Sequence, residues 1–543
     1  MSEPEVPQVS QDNQEVPQMT KEELETLLLN VAAVPPHIVF DREQYNRDLS
    51  AGLIELSRAN PGVLNKAPYN PSDIKAAHNA TSINIQPAVG KKRVTIAITI
   101  AYNWPADYLQ SCLDAMCRVY GLTSRTIEVI NLDANGAKTD AVPATVAQVI
   151  NPLKIYVGDI SNTSTSATAI SSITEFVDAS SGVSNTNLNA LGWLGELLLD
   201  LWAFAMNPNA NIRIICANDA TMGAMFSTVT YASTDSNFAT SSNGTTDFVN
   251  MSWGGPTGVD FQTSDGIFSN PRICYLGATG DHRYSTYPAT SSNVLAVGGT
   301  SLYYDATATG TSRGPYNSVW VGTNAGVGVG AGGVGTGAGF AKDYARPAYQ
   351  TNLAALTNYN NAPKRCTPDV SSVADSSTGV LIFFTDGTSS PATKIMTQQL
   401  GGTSLASPIL CGLFSHLAQK AHNENLAAMT TVLTNGTSTQ LQTILYTKYA
   451  SSGVVAANMF YDVVDGTLNL PTNNDLGDNN SGATFSAGTG YDIASGLGFP
   501  LFQGIINAIY PGELQNGGGG ATVVVSNNPL AINRKVIFNI NMN

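Results

Sequence analysis

Apolar segments of strand length alternate with segments of helix length from residue 94 onward. Strands, several of them leading into loops, are predicted at residues 94–102, 126–132, 211–218, 247–255, 272–280 and 293–302, and helices at residues 105–120, 190–207 and 404–423. This alternation is typical of βαβ units that build a parallel sheet. The sequence therefore predicts an α/β fold, a doubly wound, mostly parallel sheet with helices on both faces, with functional loops at the carboxyl ends of the strands.

Two extensions flank this predicted core. Residues 1–65 predict a partly disordered N-terminal extension with short helices, residues 66–511 the α/β domain, and residues 512–543 a glycine-rich linker with a C-terminal β hairpin. Because a lone hairpin is marginal in water, we expect this tail to pack on the domain or on an assembly partner. Within the domain, the glycine-rich segment 322–339 predicts a turned surface loop.

Composition narrows the function classes. Charged residues make up 12% of the chain, and 26 Lys and Arg against 40 Asp and Glu give a net charge of −14. No basic surface is available for nucleic acid, so nucleic-acid binding is not expected. No stretch approaches the ~18 consecutive apolar residues of a membrane span. The six cysteines lie far apart without CxxC pairs and predict buried free thiols.

The start of the chain is acidic and polar and lacks the pattern of a secretory signal. An intracellular or particle-associated location is therefore expected ahead of a secreted or lysosomal one.

A serine opens the longest predicted helix. The segment GGTSLASP (401–408) places Ser404 where glycines allow a sharp turn into the helix, beside its positive end. That position suits a nucleophile, although a serine before a helix is also an ordinary N-cap. None of the five histidines lies in an HGTH-like segment, so a histidine-dependent triad is not expected.

Three acids stand out in apolar surroundings. Glu196 and Asp200 are the only acids in their predicted helix, and their i, i+4 spacing places both on one face. They form either a solvated stripe or, as the flanking apolar residues favour, a proton-sharing pair with raised pKa values. Asp281 follows the predicted strand 272–280, where α/β sheets place catalytic groups; a plain turn aspartate is the alternative.

These residues stand in spaced motifs that resemble one family. The motifs are GGTSxxxP at Ser404, a GExxLD helix with Glu196 and Asp200, Gly280-Asp281, and SWGGP at 252–256, and together they resemble the sedolisins, or serine-carboxyl peptidases, which have a subtilisin-like fold. The segments 69–79, 367–379 and 487–500 agree in order as well. The resemblance extends from about residue 66 to about residue 511.

The resemblance implies an acid-acting endopeptidase that acts on peptide or protein substrates. Ser404 would attack the peptide carbonyl, and Glu196 would accept its proton. Asp200 would hold and polarise Glu196, and protonated Asp281 would donate a hydrogen bond to the oxyanion. The backbone of Ser252, Trp253 and Gly254 would pair with an extended peptide in the substrate cleft; a structural tryptophan in a glycine turn is the alternative.

The resemblance also implies one structural Ca²⁺ ion. Its ligands would be the carboxylates of Asp462 and Asp492 and the carbonyls of Val463, Gly488 and Gly490, a set of oxygen donors that suits a hard cation.

Departures from the family keep other functions open. About 65 residues precede the resemblance, fewer than a family prodomain needs; Ile100 stands about where an acid often extends the carboxylate network; and Arg283 follows Asp281 closely, which predicts a depressed pKa for that acid. The alternatives are a catalytically silent protein of sedolisin fold with a structural or assembly role, a tripeptidyl exopeptidase and, third, a histidine-dependent subtilisin.

Overall fold

A computed structural model of the protein describes residues 67–510, apart from residues 160–184, 239–240, 242, 256–260, 306–314, 323–333, 352, 354–362, 388–394, 425–439, 452–457 and 473–479. The predicted N-terminal extension and C-terminal tail lie outside the described residues, so their structure stays a prediction.

The described elements follow the predicted alternation. The strands are β1 (Thr95–Ile100), β2 (Glu128–Leu132), β3 (Lys138–Thr139), β4 (Asn211–Cys216), β5 (Phe248–Met251), β6 (Cys274–Ala278), β7 (His282–Tyr284), β8 (Leu295–Tyr303), β9 (Tyr316–Val319), β10 (Gly335–Ala345), β11 (Lys364–Thr367), β12 (Val370–Val373), β13 (Val380–Thr385), β14 (Ile395–Leu400), β15 (Phe460–Tyr461), β16 (Thr467–Asn469), β17 (Thr484–Ser486) and β18 (Phe499–Pro500). The α-helices are α1 (Pro71–Ala77), α2 (Ala106–Tyr120), α3 (Ala144–Asp159), α4 (Asn185–Asp200), α5 (Trp202–Met206), α6 (Met222–Ser233), α7 (Thr403–Glu424), α8 (Gln440–Ser451) and α9 (Phe502–Ile509). The helix predicted at 190–207 is divided into α4 and α5.

The central sheet of the described chain has nine strands. Its order is β12-β8-β6-β5-β1-β4-β2-β3, and β9 pairs with β8. The seven strands from β12 to β2 are parallel, whereas β3 and β9 join in antiparallel pairing. The strand order reverses around β1, which confirms the predicted doubly wound sheet.

Helices cover both faces of the sheet. Every residue of β1, β4, β5 and β6 is buried, as expected of parallel strands with helices on either side. Helix α7 packs along β5, β6, β8 and β12, whereas α6 packs on β1 and β4. The carboxyl ends of β5 and β6 therefore lie above the N-terminal turn of α7.

The glycine-rich segment is partly a strand, which corrects the predicted surface loop. Gly335–Ala345 forms β10, and its first seven residues are buried. Gly337 donates to Gly280 O (2.7 Å), and a β-carbon at Gly337 would lie 2.4 Å from Thr279 O. The glycines here permit close backbone approach, so that β10 supports the loop that carries Asp281.

Two further sequence predictions can be compared with the described residues. The six cysteines are free and buried, as predicted. No described helix is both long enough and apolar enough to cross a membrane.

A buried ion pair joins several elements of the core. Arg365 at the start of β11 donates from Nη1 to Asp369 Oδ1 (2.7 Å) and from Nη2 to Asp369 Oδ2 (2.6 Å), and both side chains are fully buried. Asp369 also accepts from Ala296 N (2.8 Å) in β8 and from the Tyr446 hydroxyl (2.8 Å) in α8. This carboxylate is therefore the common acceptor for β8, β11 and α8.

We expect Asp369→Ala to lower the free energy of unfolding by about 3–5 kcal/mol, because it leaves a buried guanidinium without its partner. Glu424→Ala, which removes the surface pair with Lys420, serves as the control and should cost under about 1 kcal/mol. Urea denaturation of the two variants measures both values. Equal losses would contradict the role given to Asp369.

Candidate active site

The residues singled out in the sequence meet at the carboxyl edge of the central sheet. Ser252 directly follows β5, Asp281 follows β6, and Ser404 lies in the first turn of α7. Glu196 and Asp200 lie in the last turns of α4, which packs against α7. All of these side chains are buried.

The carboxylate pair of α4 is fully buried. Ser252 Oγ (2.6 Å) and Asn250 Nδ2 (2.7 Å) both donate to Asp200 Oδ1. Asp200 Oδ2 and both oxygens of Glu196 have no hydrogen bond of good geometry to any described residue. With 0% exposure for both side chains, the solvated-stripe interpretation is wrong.

Burial dominates the electrostatics of this pair. It raises the pKa of Glu196 well above its ordinary value, and the negative charge of Asp200 raises it further. The hydroxyls of Ser404 and Ser252 lie close enough to Glu196 to lower its pKa in part. Burial likewise raises the pKa of Asp200 well above its ordinary value, against the two hydrogen bonds from Ser252 and Asn250. Two like charges in an apolar site favour one shared proton.

Glycines shape the turn that presents Ser404. Gly402 has φ +99°, a left-handed conformation that suits glycine. A β-carbon at Gly401 would lie 2.2 Å from Ala374 O, so the turn also needs close backbone approach there. Helix α7 begins at Thr403, one residue before Ser404, and the Ser404 hydroxyl donates to Ser252 O at 3.4 Å. Ser404 is therefore a residue of the first turn and not the residue that precedes the helix.

Asp281 is held against the same turn. Its Oδ1 accepts from Thr403 N (2.8 Å) and Thr403 Oγ1 (2.7 Å), while a β-carbon at Gly402 would lie 2.8 Å from Oδ2. Burial raises the pKa of Asp281 to about 6, although both hydrogen bonds from Thr403 lower it. Oδ2 is the oxygen that remains to carry a proton below that pH.

The predicted effect of Arg283 is wrong. Its guanidinium donates to three backbone carbonyls, those of Gly322 (2.7 Å), Val334 (3.1 Å) and Asn469 (3.3 Å). The pKa of Asp281 is raised and not depressed. Sequence adjacency misled here, because Arg283 has φ +68°, so its backbone is not extended, and these carbonyls bind its guanidinium.

Three histidines have partners away from Ser404. His78 Nε2 lies 2.9 Å from Ser372 Oγ, His416 Nε2 lies 3.3 Å from Met206 O, and His422 Nε2 lies 3.1 Å from Asp247 Oδ1. Burial lowers the pKa of His416, the buried histidine of α7, to about 4. These contacts agree with a site whose base is not histidine.

The segment after β5 was expected to line a substrate cleft, but the side chain of Trp253 packs in the protein interior. The Trp253 side chain is 1% exposed, donates from Nε1 to Thr99 Oγ1 (3.0 Å) and packs on Phe226. Its side chain is thus structural, and the expected pairing of the 252–254 backbone with a peptide stays a prediction. A β-carbon at Gly254 would lie 2.2 Å from Thr286 Oγ1, which explains the glycine.

The residues expected to hold calcium converge on one loop. Asp462 accepts from Gly490 N (3.0 Å), and Asp492 accepts from Gly488 N (3.1 Å) and Ser495 N (2.8 Å). Burial raises the pKa of Asp492 to about 7. The described residues contain no group of three or more His, Cys, Asp or Glu that could hold a metal, and the expected Ca²⁺ site stays a prediction.

A sequence profile of the subtilase family matches residues 195–488, more than half of the chain. The chain belongs to the subtilase family. Its matched regions are 32% identical over 216 residues to sedolisin of Pseudomonas sp. (strain 101), and 27% identical over 344 residues to kumamolisin of Bacillus sp. (strain MN-32). They cover 39% of this chain and 28% of sedolisin, and 59% of this chain and 52% of kumamolisin.

This subtilase also has the fold of a solved relative. A structure described as Pseudomonas sedolisin (serine-carboxyl proteinase) complexed with two molecules of pseudo-iodotyrostatin matches with a TM-score of 0.52 and 20% sequence identity, over 81% of this chain and 97% of that chain. The predicted resemblance to the sedolisins and the subtilisin-like fold are confirmed.

Two polar residues that bind the acids of this subtilase were not predicted from the sequence. Asn250 donates to Asp200, and Thr403 holds Asp281 with both its backbone and its hydroxyl. Asn250 could have been noticed, since it is the one polar residue of the strand FVNM. Thr403 could not, because a threonine directly before the helix predicted at 404–423 is an ordinary N-cap.

We expect the ionisation of Asp281 to lower the free energy of unfolding as pH rises from 4 to 7. The pKa of Asp281 rises from 3.8 to about 6 on folding. Its contribution is therefore complete below pH 3.8 and is lost as the pH rises through about 6, a change of about 3 kcal/mol. Urea denaturation across this range measures the fall.

Asp281→Asn isolates this effect, because asparagine keeps an oxygen for Thr403 and cannot ionise. The variant should lose about 3 kcal/mol of the pH-dependent fall. Asp140→Asn, at an exposed acid, is the control and should keep the whole fall. An unchanged fall in Asp281→Asn would show that this acid ionises in the folded protein as freely as in the unfolded chain.

Proposed function

We propose that the protein is an acid-acting serine-carboxyl endopeptidase. The observation that carries the proposal is the contact network at the start of α7, where Ser404 lies between a buried carboxylate pair and Asp281. Ser404 Oγ lies near Glu196, and the residue before it holds Asp281. The sedolisin and kumamolisin matches support a serine-carboxyl chemistry for this arrangement.

The reaction begins at Ser404. Its Oγ forms a bond to the peptide carbonyl carbon while the hydroxyl proton passes to Glu196, and Asp200 stabilises Glu196 through the shared proton. The carbonyl oxygen gains the negative charge, and protonated Asp281 donates a hydrogen bond to it from Oδ2. The oxyanion then reforms the carbonyl, the C–N bond breaks, and Glu196 gives its proton to the leaving amine. Water hydrolyses the acyl enzyme by the same steps.

Acid pH suits each group. A buried carboxylate can accept a proton at pH values at which an unperturbed histidine is already charged. Asp281 can donate to an oxyanion only while it is protonated, which holds below about pH 6. We therefore infer a working range whose alkaline limit is set by ionisation of Asp281.

Ser404→Ala should abolish hydrolysis of an acid-denatured protein substrate at pH 3–6, because the other hydroxyl near Glu196, that of Ser252, donates to Asp200 Oδ1 (2.6 Å). Ser415→Ala, which removes another buried serine of α7, is the matched control and should keep activity. Peptide products are separated by mass spectrometry.

The products distinguish the remaining classes. Internal fragments of varied length are expected of an endopeptidase, whereas a ladder of tripeptides would replace that assignment by an exopeptidase. Equal activity in the native protein and Ser404→Ala, or no activity in either, would overturn the proposed function.

We also propose that the loop around Asp492 holds one structural Ca²⁺ ion. Asp462 and Asp492 would supply carboxylate oxygens, and Val463, Gly488 and Gly490 would supply carbonyl oxygens. Two hard carboxylates that both accept from backbone amides of residues 488–490 support this assignment, because no cationic side chain among the described residues perturbs the pKa of either acid. When bound, the ion would neutralise both carboxylates and order the loop.

Calcium should raise the melting temperature of the native protein, and a chelator should lower it, because an ion that binds only the folded state stabilises it. Asp492→Asn should remove this response. Asp465→Asn is the control, since Asp465 accepts from the Tyr316 hydroxyl (2.5 Å) and is not in the donor set. Calorimetric titration measures binding directly, and a melting temperature indifferent to calcium would contradict the assignment.

A further inference from the structure

Asn250 occupies an unusual position in the core. It lies in the central strand β5 between apolar neighbours, and its side chain is fully buried. Every polar contact of its amide is nevertheless satisfied: Nδ2 donates to Asp200 Oδ1 (2.7 Å) and Ser252 Oγ (2.9 Å), and Oδ1 accepts from Ser407 Oγ (2.7 Å).

The orientation of this amide is determined by its partners. An amide oxygen cannot face the Asp200 carboxylate without repulsion, so the NH₂ group must do so. The oxygen then faces Ser407, which lies one turn after Ser404 on α7 and donates its hydroxyl. A chain of hydrogen bonds therefore runs from the helix of the nucleophile through Asn250 to the carboxylate pair.

These hydrogen bonds also make the two carboxylate oxygens of Asp200 inequivalent. Oδ1 accepts from two donors, whereas Oδ2 has no partner among the described residues. Glu196, one helical turn earlier, likewise has no well-formed hydrogen bond. Oδ2 is thus the oxygen left for the proton that the pair shares.

We propose that Asn250 is a positioning residue, which fixes Asp200 through Oδ1 so that Oδ2 faces Glu196, and that Ser407 fixes the amide of Asn250. This inference rests on the proposed peptidase function for its role in the reaction. The hydrogen bond from Asn250 favours the charged form of Asp200, so the pair retains one negative charge at lower pH than it would without the amide.

Few other groups can set that charge. The titratable groups that face the pair from neighbouring elements are Asp281, after β6, and the Cys411 thiol of α7. Burial raises the pKa of Cys411 well above its ordinary value, which keeps this thiol neutral in acid. No cationic side chain in the described part of the chain perturbs the pKa of Glu196 or Asp200, so neutral donors stabilise the charge.

The test compares pH profiles of kcat/KM for a peptide substrate. Asn250→Ala should move the acid limb about one pH unit upward, the size expected from loss of one hydrogen bond to a charged group. We expect kcat to fall and KM to change less than twofold. Ser407→Ala keeps the Asn250 amide but removes the hydrogen bond that fixes its orientation. The acid limb of this variant should therefore move in the same direction by less.

Asn207→Ala is the matched control. Asn207 is also fully buried and also bonds a serine of α7, since its Nδ2 donates to Ser415 Oγ (2.7 Å). It should cost stability without moving the acid limb. Equal shifts in Asn250→Ala and Asn207→Ala, or no shift in Asn250→Ala, would overturn the proposal. Should Asn250→Ala not fold, Ser407→Ala carries the same comparison.

A second measurement separates this inference from the proposed function. In the Ser404→Ala background, Asn250→Ala should extend the pH-dependent fall in the free energy of unfolding to higher pH by about one unit. If this extension is seen while the native protein has no Ser404-dependent activity, the peptidase proposal fails and the positioning of Asp200 stands. If the native protein is active and neither shift is seen, the peptidase proposal stands and Asn250 has only a structural role.

Discussion

Two carboxyl groups buried one turn apart in an apolar helix are the constraint around which this molecule is built. Glu196 and Asp200 cannot both be charged there without a large cost in free energy, so the pair retains a proton that water would otherwise remove. Neutral donors from β5 and the following loop bind one oxygen of Asp200, and the first turn of α7 brings the Ser404 hydroxyl close to Glu196. In the doubly wound sheet, β5 and β6 both end above the N-terminus of α7, next to this carboxylate pair.

The rest of the site depends on backbone proximity that only glycine permits. Gly402 leaves room for Asp281 Oδ2, and Gly337 allows β10 to contact the loop of Asp281. These contacts place Asp281 against the helix that carries Ser404. Asp281, the proposed oxyanion donor, is consequently held by the same turn that carries Ser404, the proposed nucleophile.

The sequence predicted those features that depend on local pattern. The alternation of apolar segments predicted the sheet and its helices, and apolar surroundings indicated that Glu196 and Asp200 form a pair. Features that depend on the direction of a side chain were not predictable. Arg283 follows Asp281 yet bonds distant carbonyls, and Trp253, expected beside a cleft, points into the core. The glycines of β10 signalled a loop, because a sequence does not show which backbone lies opposite.

The buried pair of Arg365 and Asp369 has a consequence for the mechanics of the site. Asp369 O accepts from Leu497 N (2.8 Å), which lies at the end of the loop that contains Asp492. The strand β12 begins at the residue after Asp369. Directly after β12, Ala374 O accepts from Gly402 N (2.5 Å) in the turn before Ser404. The strand β12, which is extended, fully buried and about 13 Å long, thus connects that loop to the turn before Ser404. If the loop that contains Asp492 moved, β12 would pass the movement on as a displacement of Ser404, while the sheet itself remained folded.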